Sequence, residues 1–544
     1  CGAQSSLNLK SLSPMAHLLP VYAVSSRRLR ARRRAQYSSA TGYQCAWSGF
    51  QCKTRACLTV IWPWSIPIRL VAIAHRHTQQ SEPLEKDRMH WLMTHDATDQ
   101  AQYSTPVSRP IYIRHLDVTD RSDYLLYAAL ALLPVDGTVL GWYMPFWTPI
   151  SPWLLMLYTA LNWRLIPQVY RRFRTFFLFP LLLVALSSFG WFTVAFHPLP
   201  GLWSLLGIGG ALACLASLEI AVTIKHLDWR QMIRIILIAY WFAFAVGVVQ
   251  FLSIKLDITF VRDWFSDLMS REYITADSAW GGNRPQFLFA EPSYIGMHLY
   301  GVLLPLMWLM HRRDRIYARR LRDLIIVFAA GSIIMGAGVR IILDTGVALV
   351  IAINVDTDFK NHKQARLAWG TFGVMAVAGV AVALLNSRIR AILAQGPLLG
   401  DDSTSARISQ TMTPLVALIK HPANLLLGFG SGNIVEANRQ GTTTAYAILN
   451  GPDAKVPWWV WKSLTPTNVF TMSSYTSFIT EFGLIGFIVL VSIILRYITR
   501  QHAWSKTTTY WLILTAYLYL QFEGYAFYVI PLLIWASPKI EGRC

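Results

Sequence analysis

Charged residues are scarce in this sequence. Only 14% of the 544 residues are Asp, Glu, Lys or Arg, whereas 54% are hydrophobic, and the mean hydropathy is +0.37. A water-soluble chain of this length needs far more charge to cover its surface. The composition therefore excludes an ordinary soluble protein and indicates an integral membrane protein.

The sequence also lacks the patterns of several functional classes. Its six cysteines show neither the spacing of metal ligands nor a disulfide framework. There is no acidic cluster typical of a metal-dependent transferase, so we expect no metal and no cofactor. There is no internal repeat and no matched pair of broken helices, which weakens the interpretation as a secondary transporter.

Acidic residues are the scarcer charged type, and the formal net charge is +20. In a soluble protein such an excess would indicate a nucleic-acid partner. Here the basic residues lie mostly in short loops between apolar runs, which is the pattern of positive charge that orients membrane helices. We therefore expect membrane lipid and no nucleic acid as a partner.

Long apolar runs are present, at roughly the 15–23 residues that a helix needs to cross ~30 Å of hydrocarbon. They are continuous rather than alternating, which predicts helices and not a barrel. The fold class predicted is all-α, a polytopic transmembrane helix bundle with about twelve spans. The predicted spans are 124–142, 146–166, 175–196, 201–224, 231–253, 294–310, 323–339, 341–355, 368–386, 476–495, 508–521 and 525–537.

Five basic clusters predict the orientation of these spans. They are Arg171–Arg174, Lys225–Arg234, Arg312–Arg322, Lys360–Arg366 and Arg496–Lys506. If all five are cytoplasmic, the spans alternate without conflict and both termini are cytoplasmic. The two long connections, 254–293 and 387–475, then lie on the outer side. Loops of this length are usually functional or disordered, so we predict that the outer face is the working face.

The N-terminal region differs in character from the rest. Residues 1–123 are predicted to form a cytoplasmic, largely disordered extension, with a basic run from Arg27 to Arg34. Two explanations stay open: an upstream extension of the reading frame with Met89 or Met93 as the natural start, or a basic arm that binds anionic lipid. The domains predicted after it are 124–253 and 294–386 as membrane helices, 254–293 and 387–475 as periplasmic loops, and 476–544 as C-terminal helices with a short tail.

The first outer loop ends in a motif that begins a helix. Pro292 suits the first helical turn and Glu291 suits the cap, where the helix dipole favours a negative charge. A plain helix start explains these residues. A functional role is the alternative, because Arg284 lies seven residues upstream, and charges at the edge of hydrocarbon are costly unless they are paired or used.

The second outer loop begins with a predicted amphipathic helix, capped by Ser403 or Ser405 and running to about Lys420. Arg407 lies near its start, as a solvated or phosphate-facing residue or as a functional one. A Gly-x-Gly-x-Gly run, 428–432, follows. It is either a flexible turn or a place where backbone N–H groups approach a ligand closely.

Three further features stand out. Glu481 follows the start of a predicted span and would be buried, which makes it a functional candidate. Arg340 and Asp344 are spaced i, i+4 and are most simply an ion pair. The aromatic patch 457–462 fits anchoring at the membrane interface, with sugar binding as the alternative.

Read together, these motifs resemble the O-antigen polymerase and ligase superfamily, the Wzy-type bacterial polysaccharide polymerases. The resemblance covers roughly residues 230–500. It consists of an Arg seven residues before a Phe-x-Glu-Pro-Ser helix start, a Ser-x-Arg that opens a long loop, a Pro-x-x-Leu-x-Gly-x-Gly-like turn, and a Glu-x-Gly-x-x-Gly element. The matching positions are Arg284, 289–293, 405–407, 422–430 and 481–486.

The resemblance implies a GT-C-like glycosyltransferase of the bacterial inner membrane. Its donor would be an O-antigen or exopolysaccharide unit on undecaprenyl pyrophosphate, and a chain-length regulator protein is a candidate partner. Arg284 and Arg407 would flank the pyrophosphate, because a guanidinium group pairs two oxygens and stays charged. Glu291, and second Glu481, would serve as general base or hold the arginines in place.

Further substrate-binding positions implied by the motifs are Ser293, Tyr294, Arg340, Gly428, Gly430, Ser474 and Tyr475. One departure matters: ligases carry a His in the closing element, where this chain has Ser473 and Ser474. This favours a polymerase over an O-antigen ligase that transfers polymer to lipid A core. The remaining alternatives are a transporter or flippase of lipid-linked sugars and a membrane scaffold without chemistry.

Overall fold

The computed structural model describes residues 116–141, 147–278, 282–385, 387–396, 402–522 and 527–540. These residues all belong to one compact unit, Pro110–Cys544. The predictions made for residues 1–115 lie outside them. So do the cysteines other than Cys214, which is buried in a helix.

Helices form the regular structure of the described residues, and the one β-bridge there joins Thr138 and Met269. The α-helices, numbered along the chain, are α1 Asp123–Ala131, α2 Ser151–Leu161, α3 Ile166–Thr193, α4 Pro198–Leu218, α5 Trp229–Lys255, α6 Thr259–Leu268, α7 Ile295–His298, α8 Leu304–His311, α9 Arg315–Ile334, α10 Val339–Asp356, α11 His362–Leu385, α12 Ser387–Gln395, α13 Asp402–Lys420, α14 Pro422–Leu427, α15 Ile434–Asn450, α16 Trp458–Ser463, α17 Ser474–Arg500, α18 Lys506–Tyr519 and α19 Val529–Ala536.

Five helical segments of the described chain are long and apolar enough to cross a membrane. They are Trp163–Thr193, Pro198–Ile224, Trp229–Lys255, Pro292–His311 and Ser474–Arg500. The all-helical class and the presence of helices that could span a membrane are therefore confirmed. Helices overlap each of the other predicted spans, but the count of twelve crossings and the orientation of the chain stay predictions.

The first two predicted spans, 124–142 and 146–166, are wrong in extent. Helix α1 has 9 residues and α2 has 11. At 1.5 Å per residue these helices are roughly 14 and 17 Å long, which is too short to cross hydrocarbon alone. Helix α1 ends before Pro134, and the chain then turns inward so that the Asp136 side chain is buried.

The end of the predicted disordered extension is packed. The Asp117 amide donates to the side chain of Gln231, and the buried carboxylate of Asp123 accepts hydrogen bonds from Thr119 and Lys225. Since a paired, buried carboxylate needs fixed partners, residues 116–123 belong to the folded unit.

The segment Pro292–His311 is the central helix. In its most apolar window 94% of residues are buried, against 33–56% in the other four candidate spans. It begins with a 3₁₀ turn, Pro292–Tyr294, continues through α7, and passes a π-helical stretch, Leu299–Leu303, before α8. Protein surrounds this helix on nearly all sides, and Glu291 lies at its start.

The segment predicted as the long outer loop is largely helical. The predicted amphipathic helix is confirmed as α13, and it begins at Asp402, so that neither Ser403 nor Ser405 precedes it as a cap. Helix α13 packs along α15, where a side chain on Gly441 would meet the carbonyl oxygen of Thr413. Arg407 lies on this packed helix.

Candidate functional site

Glu291 lies between two arginines from different parts of the chain. Its Oε2 is 3.1 Å from Nη1 of Arg271, and its Oε1 is 2.6 Å from Nη2 of Arg407. The side chains of Arg271 and Glu291 are 2% and 7% exposed, whereas that of Arg407 is 27% exposed. One buried carboxylate is thus shared by a buried guanidinium group and a partly accessible one.

The backbone before the central helix presents Glu291 to these arginines. Glu291 is extended, with φ −149° and ψ 143°, and it is the N-cap residue of a turn that begins at Pro292, as predicted. Its side chain makes no capping hydrogen bond to the helix backbone. The carboxylate is therefore available to the guanidinium groups and to the Ser293 hydroxyl, which also hydrogen-bonds to it.

The segment before Glu291 is held by hydrogen bonds to two buried glutamine side chains rather than by pairing with a strand. Gln250 accepts from the backbone N–H groups of Gln286 and Phe287 and donates to the Phe287 carbonyl. Gln286 donates to the Arg271 carbonyl and accepts from the Tyr273 amide. Because the same glutamine holds both segments, Arg271 and Glu291 are positioned by one set of hydrogen bonds.

The electrostatics of Glu291 are set by burial and by its arginines. Burial alone would raise the pKa of Glu291, but the positive charges of Arg407 and Arg271, with the Ser293 hydrogen bond, hold that pKa below its ordinary value. Glu291 is therefore an ionised partner of the arginines and a weak base.

A second ion pair lies beside the first. Arg340 Nε is 3.4 Å from Asp344 Oδ2, which confirms the predicted pair, and Tyr517 donates to the same carboxylate. The positive charge of Arg340 also acts on Glu291. Three guanidinium groups, on Arg271, Arg340 and Arg407, thus face two carboxylates, which leaves one net positive charge when all are ionised.

Arg284 lies against Tyr273. Its guanidinium carbon lies 5.2 Å from the ring centroid of Tyr273, and its backbone N–H donates to the Tyr273 carbonyl. Tyr273 is two residues from Arg271, so Arg284 lies next to the strand-like segment that carries Arg271. Arg271, which was not singled out from the sequence, makes an ion pair with Glu291.

Arg271 is absent from the residues predicted from sequence. It belongs to no recognisable motif, and the first outer loop also contains Arg262 and Arg284. Its position depends on the bridge between Met269 and Thr138 and on the ring of Phe470, which lies 5.4 Å from its guanidinium carbon. Both contacts join distant parts of the chain, so no local sequence signal could have identified it.

The glycine run 428–432 is a structural junction. Gly428, Gly430 and Gly432 all have φ between 84° and 91°. The backbone N–H groups of Phe429 and Gly430 donate to the carbonyls of Thr480 and Glu481, which helix α17 leaves open because it breaks at Gly483. The Gly428 amide donates to the Asn424 carbonyl, so the amides of Gly428 and Gly430 are both occupied by the protein itself. A ligand contact through these two amides is therefore not supported, and ligand binding at the turn stays a prediction.

Glu481 belongs to the same junction. It is fully buried, as predicted, and its Oε1 accepts hydrogen bonds from the Ser204 hydroxyl and from the Gly432 amide. These contacts join α4, the glycine turn and α17. These hydrogen bonds make Glu481 part of the junction that holds the turn. Its role in the reaction stays a prediction.

The remaining predicted binding residues are mostly engaged in packing. Ser474 donates to the Phe522 carbonyl, and Tyr475 donates to the Ala516 carbonyl. Tyr294 is buried with its ring 4.6 Å from that of Phe522. Ser293 hydrogen-bonds to Glu291 and so belongs to the candidate site.

The predicted aromatic patch includes helix α16. Trp458 and Trp461 are exposed, and the Lys462 ammonium group lies 5.6 Å from the Trp458 ring centroid. Amphipathic residues of this kind suit a water–lipid interface. The patch remains a predicted anchor.

No protein-family model matches this chain, and no curated protein or solved structure matches it either. A functional conclusion therefore depends on the geometry of the Arg271–Glu291–Arg407 cluster and on the motifs around it.

Proposed function

We propose that this protein is a glycosyltransferase of the bacterial inner membrane. It would polymerise O-antigen or exopolysaccharide repeat units carried on undecaprenyl pyrophosphate, at the periplasmic face. The observation that supports this most is the sharing of one buried carboxylate, on Glu291, by guanidinium groups from two separate segments. Such a cluster fits an anionic ligand with several oxygens, and a diphosphate is one.

The charge balance of the cluster supports an anionic ligand. The three arginines exceed the two carboxylates by one positive charge, and Arg284 lies beside the Arg271 segment. Within the described part of the chain, the buried Nε of Arg407 has no hydrogen-bond partner. Arg407 can therefore donate to a ligand while it keeps its ion pair with Glu291.

The proposed reaction is a single displacement. The hydroxyl oxygen of the acceptor sugar attacks the anomeric carbon of the donor, and a new carbon–oxygen bond forms as the bond to the diphosphate breaks. Undecaprenyl pyrophosphate leaves with the bonding electron pair, and the hydroxyl proton passes to it. Arg407 would stabilise the charge that develops on the departing oxygen, a contribution that is usually large.

The low pKa of Glu291 favours one of its two predicted roles. A carboxylate held ionised by two guanidinium groups accepts a proton poorly. We therefore propose that Glu291 orients Arg407, and that Arg271 holds Glu291 in turn. Arg407 is then the residue that contacts the substrate, while Arg271 and Glu291 position it.

A complementation experiment tests the proposed function. Cells deleted for the gene would receive the wild type, Arg407→Ala or Arg271→Ala, and their surface glycans would be separated by size. Arg439→Ala is the matched control, because Arg439 is an exposed arginine paired with Glu436 on α15.

The glycan profile separates the candidate functions. The polymerase proposal expects long glycans with the wild type and Arg439→Ala, and single repeat units with the two site variants. Loss of all transferred glycan would indicate a ligase instead. A profile unchanged by deletion of the gene would refute both.

A further inference from the structure

A buried polar network lies behind the candidate site. His298 and Asp136 are almost completely buried, and His298 Nε2 is 3.0 Å from Asp136 Oδ2. The hydroxyls of Tyr240 and Tyr528 lie 2.7 Å from His298 Nδ1 and 3.0 Å from Nε2. Trp147 Nε1 donates to Asp136 Oδ2 at 3.0 Å. None of these side chains is used by the reaction proposed above.

The partners of His298 determine where its proton lies. An ionised Asp136 can only accept hydrogen bonds, so Nε2 carries the proton and donates to it. Nδ1 then accepts from the Tyr240 hydroxyl. This tautomer satisfies both ring nitrogens and gives Asp136 a hydrogen-bond donor.

The other oxygen of Asp136 holds the backbone beside Glu291. Its Oδ1 accepts from the Ala290 N–H at 2.8 Å, and the amides of Asp136 and Gly137 donate to the Leu288 carbonyl. Ala290 immediately precedes Glu291, and His298 follows on the helix that Glu291 caps. One carboxylate therefore ties the chain on both sides of Glu291.

From this arrangement we infer that Asp136 and His298 are positioning residues for Glu291, and through it for Arg407. The effect of this positioning on the reaction rests on the proposed function, whereas the positioning of Glu291 itself does not. Packing alone does not require these groups, because apolar residues can fill a buried site at equal or lower cost than charged ones. A carboxylate held by directed hydrogen bonds instead fixes the position of the Ala290 backbone more precisely than apolar packing does.

Substitutions at His298 test the inference with the full-length protein in detergent or vesicles. His298→Leu removes the donor to Asp136, whereas His298→Gln keeps an amide donor that reaches toward it. Tyr528→Phe removes a single hydroxyl without a cavity, and it serves if His298→Leu does not insert. The control is Glu219→Gln, which disturbs a separate buried network with Arg172 and Trp535.

Two measurements are made on each variant. Hydrogen–deuterium exchange of a peptide that contains Ala290 reports the backbone clamp, whether or not the protein is an enzyme. Polymer formation at varied donor concentration gives kcat and KM. Thermal unfolding identifies variants with a matched loss of stability.

We expect faster exchange at Ala290 in His298→Leu, with kcat reduced roughly 100-fold, the scale of a 1 Å misplacement. KM should change little, because misaligned charges matter most in the transition state. His298→Gln should recover most of both properties, and Tyr528→Phe should show a smaller change in the same direction. Glu219→Gln should change neither exchange at Ala290 nor kcat.

Unchanged exchange at Ala290 in His298→Leu or, if that variant does not insert, in Tyr528→Phe would overturn the inference. So would faster exchange with normal kcat, or an equal fall of kcat in Glu219→Gln at the same stability. If the wild type makes no polymer, the proposed function fails, and the exchange measurement still decides whether Asp136 and His298 hold the segment.

Discussion

Arg271 and Arg407 contact the same carboxylate, but their different exposures predict different consequences when each is replaced by alanine. Arg271 is almost fully buried, so Arg271→Ala should destabilise the protein by about 3 kcal/mol, the lower end for a broken buried pair, because Arg407 still faces Glu291. Arg407 is partly solvated, and solvent screening reduces the expected loss for Arg407→Ala to about 1 kcal/mol. Both variants should nevertheless lose polymer formation completely.

The double variant Arg271→Ala with Glu291→Gln sharpens the test. Gln at 291 removes the buried carboxylate that would otherwise keep only one of its two arginines, so part of the lost stability should return. Activity should not return, because Arg407 then lacks the carboxylate that orients it.

The assay combines the midpoint of unfolding in increasing SDS with the size profile of glycans in complemented cells. Equal stability of Arg271→Ala and the exposed control Arg439→Ala would refute the assignment of Arg271 to a buried pair. Full polymer length in Arg407→Ala would refute the proposed role of the cluster.

Three further predictions follow from particular contacts and a fourth from the predicted orientation. Arg407→Lys should restore little polymer, since a point charge does not reproduce a planar fork, and full rescue would exclude bidentate binding. Gly428→Ala should destabilise the protein by more than about 1 kcal/mol, because its Cβ would lie 2.2 Å from the Glu481 carbonyl oxygen. Gly451→Ala is the control for backbone strain, because Gly451 also has a positive φ, of 104°, but a Cβ there would lie in open space. It should destabilise the protein less than Gly428→Ala. A reporter fused at about residue 440 should be periplasmic, and a cytoplasmic signal would overturn the predicted orientation. Glu291 has a lowered pKa in the folded protein, so its ion pairs should contribute fully above the ordinary glutamate value of 4.5 and be lost as the pH falls through the lower folded value. Glu291→Gln should abolish that part of the acid dependence of unfolding.

The membrane-helix body could be predicted from sequence because long apolar runs have few other interpretations. Helix starts at Glu291–Pro292 and near Arg407 were also accessible, since local cap and periodicity signals encode them. The first two spans were placed wrongly because hydrophobicity continues past Ala131, while the buried Asp136 turns the chain for reasons that involve Ala290 and His298.

The candidate site was only half accessible from sequence. Glu291 and Arg407 lie in motifs, whereas Arg271 reaches Glu291 through glutamine contacts and a bridge between distant segments. The structural role of Glu481 was not predicted, because burial of a carboxylate has two explanations. From sequence, a buried glutamate that accepts from the Gly432 amide cannot be distinguished from one that contacts a substrate.

The break in α17 makes two glycines 55 positions apart depend on each other. A methyl group on Gly428 would meet the Gly483 nitrogen at 2.7 Å, and one on Gly483 would meet the Gly428 nitrogen at 2.6 Å. Because both additions compete for the same space, their costs should not be additive. Distant relatives should therefore retain both glycines or replace both. Such covariation would identify relatives of this chain whose overall sequence similarity is too low to detect.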